Sequence, residues 1–238
     1  MARPLRLRIH RTDFVAGARA ARGVAVVIDV FRACSLVAHA LAAGAARVIP
    51  VAGIDEARAL KARLPDALLV GERHARPLPG FDCGNSPSEI LKWPLEGRTL
   101  IHTTHAGTQG LTAAATAADL VITGALVNAA ATVAAIRAID PADVTIIAMG
   151  HEARMRCVED DLCRDLLIAR LRGEPYDERA IEARLRAAPA AAKFFDPEAT
   201  WAPLQDFALC AQVDTIDRAV ALVRRQDDVA ALEPLRRG

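Results

Sequence analysis

Residues 24–35 read VAVVIDVFRACS, and this stretch decides the fold. Val24–Ile28 is an unbroken apolar run with four β-branched residues, the pattern of a strand buried on both faces. Asp29 follows it directly, and a carboxylate there costs several kcal/mol to desolvate unless it is paired or metal-bound. Arg32 is near enough in sequence to be its partner. Ser35 then reads as the cap of a helix through Leu36–Leu41, stopped by Gly44.

The same alternation continues outward from this unit. An edge strand is expected over Arg6–His10, and buried strands over Arg47–Val51, Ala67–Val70, Thr99–His102, Leu120–Thr123 and Val144–Met149. Helices are expected over Asp55–Leu64, from Ser86-Pro87-Ser88-Glu89, and over Leu111–Ala117, Val127–Ile139 and Val158–Leu171. Further helices are expected over residues 178–188 and 214–225. Strand and helix in strict succession imply right-handed βαβ units. The expected fold is α/β, a largely parallel sheet flanked by helices in three layers. The chain reads as one domain over residues 1–238, with a sheet core (1–175) carrying the site. A mainly helical C-terminal extension (176–238), with Phe194, Phe195, Trp201 and Phe207, covers one side.

Composition excludes several classes of function. The 238 residues carry a net charge of +1, so no global field calls for nucleic acid or an anionic membrane. No apolar run approaches the roughly 18 residues of a membrane span. MARPLRLRIHR at the start has no apolar segment behind it, unlike a secretory leader. The five cysteines are odd in number, scattered and without a CxxC pair, which suits reduced thiols in a cytoplasm. The cysteine-phosphatase loop, the paired-aspartate phosphatase motif, GxGxxG, GxxxxGK[ST] and GxSxG are all missing from the sequence.

Ligands of open α/β sheets bind outside the carboxyl ends of the strands, and four expected strands end in polar sequence. They lead into Asp29–Ser35, Gly71-Glu72-Arg73-His74, Thr103–Thr108 and a loop reaching Glu159-Asp160-Asp161. The other strand ends are plainer. Ser35 and Gly107-Thr108 stand at helix starts, where backbone N–H groups and hydroxyls suit a phosphate as well as an ordinary cap. Three successive acids exceed what offsetting a helix dipole needs. Hard oxygens without a Cys/His cluster favour Mg²⁺ over zinc. The expected ligand is a small phosphorylated or sulfonated anion beside a carboxylate-bound Mg²⁺. Gly71–Glu89 (GERHARPLPGFDCGNSPSE), punctuated by proline and glycine, reads as a shaped binding loop. Cys34 and Cys83 lie in polar motifs, but small buried cysteines are the commoner case.

VVIDVFRACS (26–35), GER (71–73), GFDCGNSPSE (80–89), TT and AGTQG (103–110) and VEDDLC (158–163), with the weaker DFALCAQVD (206–214), resemble the 2-phosphosulfolactate phosphatase family. GFD-x-GNSP is the most specific of these strings. The resemblance implies a Mg²⁺-dependent hydrolase of α/β fold. Its reaction removes phosphate from (2R)-2-phospho-3-sulfolactate to give 3-sulfolactate, a step toward coenzyme M. It points to Asp29, Glu72, Asp82, Glu159 and Asp160 as the acidic set, with Asp29, Glu72, Glu159 and Asp160 as metal ligands. Asp29, Arg32, Glu72, Arg73 and Asp82 are the expected catalytic residues. Ser35, Asn85, Ser86, Thr103, Thr104, Gly107 and Thr108 are expected to hold the substrate. Many relatives have a TTTNGT-like string where this chain has HTTHAGT, with His102 and His105 added. That difference leaves another small phosphate ester open as the substrate. A non-catalytic anion sensor, a Cys-dependent enzyme and a homo-oligomer also stay open.

Overall fold

The structure is a computed structural model that describes residues 7–224 and 229–235. The expected strand's first residue, Arg6, and residue 225 of an expected helix lie outside the described residues, as do most of the residues read for a leader.

The chain alternates as the sequence implies. β1 (Arg8–Asp13) leads into α1 (Phe14–Arg19), β2 (Val24–Ile28) into α2 (Ala33–Ala42), and β3 (Arg47–Pro50) into α3 (Ile54–Arg63). β4 (Leu68–Arg73) turns back as a two-residue β5 (Arg76–Pro77) before α4 (Pro87–Ile90). β6 (Thr99–Thr103) precedes α5 (Gly107–Ala114), β7 (Leu120–Gly124) precedes α6 (Ala129–Ile139), and β8 (Asp143–Ala148) precedes α7 (Val158–Arg172). Short helices α8 (Ile181–Arg186), α9 (Ala192–Phe195) and α10 (Leu204–Ala211) lead to β9 (Val220–Arg224) and β10 (Ala230–Pro234).

Among the described residues the strands form one ten-stranded sheet in the order β1-β8-β2-β7-β9-β10-β3-β6-β4-β5. It contains two parallel blocks, β1-β8-β2-β7 and β3-β6-β4. The β9–β10 hairpin joins them, antiparallel to both neighbours. The fold is therefore α/β with a largely parallel sheet. Helices lie on both faces: α6, α7 and α10 pack on one side of β2, and α2 and α5 on the other.

Two expectations are corrected. Residues 220–224 of the expected 214–225 helix are a strand, because Val220–Arg224 pairs in register with Ala230–Pro234 and with β7. The C-terminal part is thus a helical cover, with α8, α9 and α10 packed on one side of the core, that also sends β9 and β10 into the middle of the sheet. Helix α2 also begins at Ala33, so Ser35 is inside it, and its hydroxyl donates to the Val30 carbonyl at 2.8 Å.

The sheet is strongly curved. β2 and β4 are six strand steps apart, about 29 Å on a flat sheet, yet Asp29 after β2 feels the charge of Glu72 in β4 and both line one cleft. The sheet wraps α2 and α5 in its hollow, where Val27, Val48, Val70, Leu100 and Ile147 meet Leu36, Leu41 and Leu111. That curl draws separate strand ends into a single site.

Candidate active site

Four carboxylates from three places in the chain, Asp29, Glu72, Glu159 and Asp160, line this cleft, and Glu152 lines it as well. Backbone N–H groups fix three of the four. Asp29 accepts from Ala33 (3.2 Å) and from Gly107, where an added Cβ would lie 2.8 Å from Asp29 Oδ2. Glu72 accepts from Ala75 (2.8 Å) and His105 (2.7 Å). Asp160 accepts from Val30 and Gly150, both at 2.8 Å, and so ties the ends of β2 and β8 together. Glu159 differs, since its Oε2 is buried with no hydrogen-bond partner. The third acid of that run, Asp161, turns away to Arg156 and Arg164.

Gathering these groups costs free energy, and their protonation shows it. Burial, then the charges of Glu72 and Glu159, push the Asp29 carboxyl up to about 6 against the backbone donors that favour its ionised form. Burial and the charges of Asp29 and Glu159 push Asp160 up as well, and burial raises Glu159.

The cations nearby do not neutralise the cluster. Arg32 lines the cleft but is buried, and it pairs with Asp206 of α10 (2.6 Å) instead of Asp29. It also donates to the carbonyls of Trp201 (2.9 Å) and Ala75 (3.3 Å). Asp206 is fully enclosed and accepts further from Ser86 Oγ and the Ser88 N–H, each at 2.9 Å. One buried carboxylate therefore binds α2, α4 and α10 together. Lys193 also lines the cleft, and burial and the Arg32 charge lower its pKa.

The remaining sequence candidates divide clearly. Asn85 lines the cleft, its Oδ1 held 3.2 Å from His102 Nε2. The others stand behind or away from it. Ser86 caps α4, accepting from Glu89 N at 3.2 Å. Thr104 and Thr108 bond to each other around the start of α5. Arg73 clasps the carbonyls of Glu72 and Ala52 and the hydroxyl of Thr103, tying β4 and β6 to the end of β3. Asp82 accepts from Leu69 N (2.8 Å) with Lys61 at 3.5 Å, and it does not line the cleft. The Gly71–Glu89 loop is pinned to the C-terminal segment, with the Arg76 guanidinium 3.4 Å from the centre of the Trp201 ring.

Sequence reasoning missed Lys193 and Asp206 as site residues. A lone lysine in the apolar run AAAKFF was a readable signal for the first. For the second the only signal was the weak DFALCAQVD string. The thiols are poor nucleophile candidates, because burial pushes those of Cys34, Cys83 and Cys157 up.

A family model described as 2-phosphosulpholactate phosphatase matches residues 9–225. The chain belongs to this family. Three proteins named "Probable 2-phosphosulfolactate phosphatase" illustrate the likeness. One from Carboxydothermus hydrogenoformans is 48% identical over 106 residues, 44% of this chain and 43% of its own length. One from Thermotoga petrophila is 38% identical over 148 residues, 62% of each chain. One from Clostridium beijerinckii is 35% identical over 165 residues, 68% of each chain. The chain thus spans about two-fifths to two-thirds of the length of these relatives. Among the described residues, no helix is long and apolar enough to cross a membrane.

The family resemblance implies a magnesium ion, and the donor set of this phosphatase-family cleft fits one. Its acids are hard oxygen donors gathered without matching cations, with one buried oxygen uncommitted. The four carboxylates share a wall without closing to the 4.8 Å spacing of a compact three-ligand cluster. Mg²⁺ does not require that spacing, since it keeps several waters and takes one or two carboxylates.

Proposed function

We propose that the chain is a Mg²⁺-dependent phosphomonoesterase acting on a small phosphorylated hydroxy-acid. (2R)-2-phospho-3-sulfolactate is the first substrate to try, and its hydrolysis gives 3-sulfolactate on the way to coenzyme M. The observation that carries this reading is the acidic wall, whose four carboxylates outnumber Lys193, the lysine in the same cleft. Asp29, Glu72, Glu159 and Asp160 line a cleft whose arginine, Arg32, is already paired, and burial together with the neighbouring acids pushes Asp29 and Asp160 toward protonation. An anionic substrate would be repelled by that wall unless a cation lay between them. One or two of Asp29, Glu72, Glu159 and Asp160 would hold the ion directly and the others through its waters. When bound, Mg²⁺ supplies charge neutralisation of the phosphoryl oxygens and a lowered water pKa.

The remaining steps belong to the chain's own side chains. Asn85 Oδ1 is engaged by His102, so its amide N–H groups are left to donate to a phosphoryl or sulfonate oxygen. Lys193, within the field of Glu159 and Asp29, supplies a positive charge to the cleft, and the buried Arg32 adds its own. Glu159 Oε2 is the carboxylate oxygen free to take a proton from the attacking water. Phe31, packed on Phe194 at 5.0 Å between ring centres, shields the floor of the cleft from solvent.

The test is phosphate release from phosphosulfolactate by the full chain in Mg²⁺. Activity should vanish with chelator, return with Mg²⁺, and be lost in Asp29→Ala and Asp160→Asn variants whose circular dichroism is unchanged. Turnover that persists without divalent metal would refute the Mg²⁺-dependent reading. Ligand-induced thermal stabilisation with no turnover on a broad phosphate-ester panel would make the chain a sensor.

A further inference from the structure

Three side chains at the mouth of the cleft are not used by the roles above. His74 follows β4, His105 lies in the loop after β6, and Glu152 lies in the loop after β8. They are remote in sequence, yet their ligand atoms all lie within 4.8 Å of one another. Among the described residues they are the group of three His, Cys, Asp or Glu side chains that converges so closely. Glu152 Oε1 is 2.6 Å from His74 Nδ1 and 3.8 Å from His105 Nδ1. The two imidazoles stand edge-to-face, 4.8 Å between centres.

An ordinary ion pair accounts for only part of this. The His74–Glu152 contact satisfies those two groups, but His105 Nδ1 points at the same oxygen from beyond hydrogen-bond range. That nitrogen is buried and has no partner. A third imidazole, His151 Nε2, stands 3.9 Å from the same Glu152 oxygen. A single carboxylate oxygen facing three imidazoles, with one buried nitrogen unsatisfied, is the donor set of a bound cation. The backbone is also arranged for it: His74 and Glu152 both sit at positive φ (54° and 51°), each followed by an alanine at positive φ. At His74-Ala75 this is the conformation that the two-residue turn between β4 and β5 takes, and it fixes the position of His74. His105 is anchored independently by its own N–H on Glu72.

We infer that His74, His105 and Glu152 form a site for one zinc-class divalent cation at the mouth of the cleft, with His151 in reach as a fourth donor. Two imidazole nitrogens and one carboxylate select Zn²⁺ or a neighbouring transition metal over Mg²⁺. Three protein ligands leave a coordination position for water or an entering anion. The site is chemically distinct from the all-oxygen wall below it, and it stands whether or not the phosphatase reading does.

The experiment is a Zn²⁺ titration of the chelator-stripped full chain against a chromogenic zinc indicator, in excess Mg²⁺ so that oxygen-only sites are filled. One Zn²⁺ per chain is expected. Affinity should fall in His74→Ala and Glu152→Gln by at least the roughly 10- to 100-fold that losing a hydrogen bond to a metal ligand costs. Glu159→Gln, a change in the acidic wall at an oxygen without a partner, should leave it unchanged. His74 is 71% exposed, so its removal does not threaten folding. In the unmutated protein, which has six histidines, Zn²⁺ should shift the imidazole resonances of His74 and His105 and leave those of His10 and His39 in place. Stoichiometric binding that survives both variants, that is lost in Glu159→Gln instead, or that leaves the His74 and His105 signals unmoved would overturn the assignment, as would failure to bind Zn²⁺.

Discussion

His102 gives a prediction whose size can be worked from the structure. The ring is fully buried in β6, with Nε2 3.2 Å from Asn85 Oδ1 and Nδ1 enclosed without a partner. Only the neutral tautomer with its proton on Nε2 fits, since a second proton on Nδ1 would have no acceptor. Burial, then the positive charge of Arg73, lowers the pKa from 6.5 to about 3. Between those values the unfolded chain binds a proton that the folded chain refuses, so stability falls as pH drops through 6.5. At pH 5 the unfolded ring is 1.5 pH units below its own pKa while the folded ring is still neutral, a loss of about 2 kcal/mol relative to pH 8. Urea unfolding of wild type and His102→Gln at both pH values isolates this loss, because glutamine keeps a donor near Nε2 but does not titrate. The wild type's stability relative to the variant should fall by about 2 kcal/mol between pH 8 and pH 5, roughly 0.7–2 M in urea midpoint. Profiles that stay parallel to within about 0.5 kcal/mol would show that the ring is not held neutral by burial.

Three further outcomes follow from the site. Asp206→Asn removes the charge that pairs with buried Arg32 and weakens the hold on Ser86 and Ser88. Urea unfolding should show a loss of roughly 3–5 kcal/mol, and a loss below about 1 kcal/mol would mean that the pair is not buried as described. Asp82→Asn should cost about 1 kcal/mol through its bond to Leu69 N, with kcat/KM changed by no more than about twofold. A loss of turnover near 100-fold there would return Asp82 to the chemistry. Gly107→Ala places a Cβ 2.7 Å from Ala33 Cβ and 2.8 Å from Asp29 Oδ2. Displacing Asp29 should lower turnover by up to about 100-fold, with a stability loss of roughly 1–3 kcal/mol. Full activity in this variant would show that the position of Asp29 is not critical.

Much of the fold was legible because the strands are buried on both faces. Val24–Ile28 needs no partner to be recognised, since its unbroken apolar run is the signature of that burial. Val220–Arg224 was misread because its apolar residues also fit helical spacing, and only pairing with Ala230–Pro234 and β7 makes it a strand. The acids Asp29 and Glu72 were visible for the same reason as the strands, since a carboxylate after or within a buried strand needs an explanation. Arg73 and Asp82 carry equally reactive groups in the same loop, but the structure spends them on main-chain carbonyls and an N–H. A sequence shows which chemistry a loop contains but not which way each side chain turns. The Arg32–Asp206 pair joins positions 174 residues apart, beyond any local pattern.

The backbone donors explain how this acidic wall can exist before any cation arrives. Asp29, Glu72 and Asp160 each accept two main-chain N–H groups, drawn from six different residues. Amide donors hold a carboxylate in place and favour its ionised form without cancelling its charge. A lysine or arginine in the same positions would do both, and would compete with an incoming cation. Arg32 is the test of that logic within the chain. Its guanidinium lines the cleft, and the fold pairs it with Asp206, which does not line the cleft. The C-terminal segment therefore does more than complete the sheet with β9 and β10. Through α10 it engages the guanidinium that lines the cleft, and the positive charge it leaves facing Asp29 and Glu159 is that of Lys193.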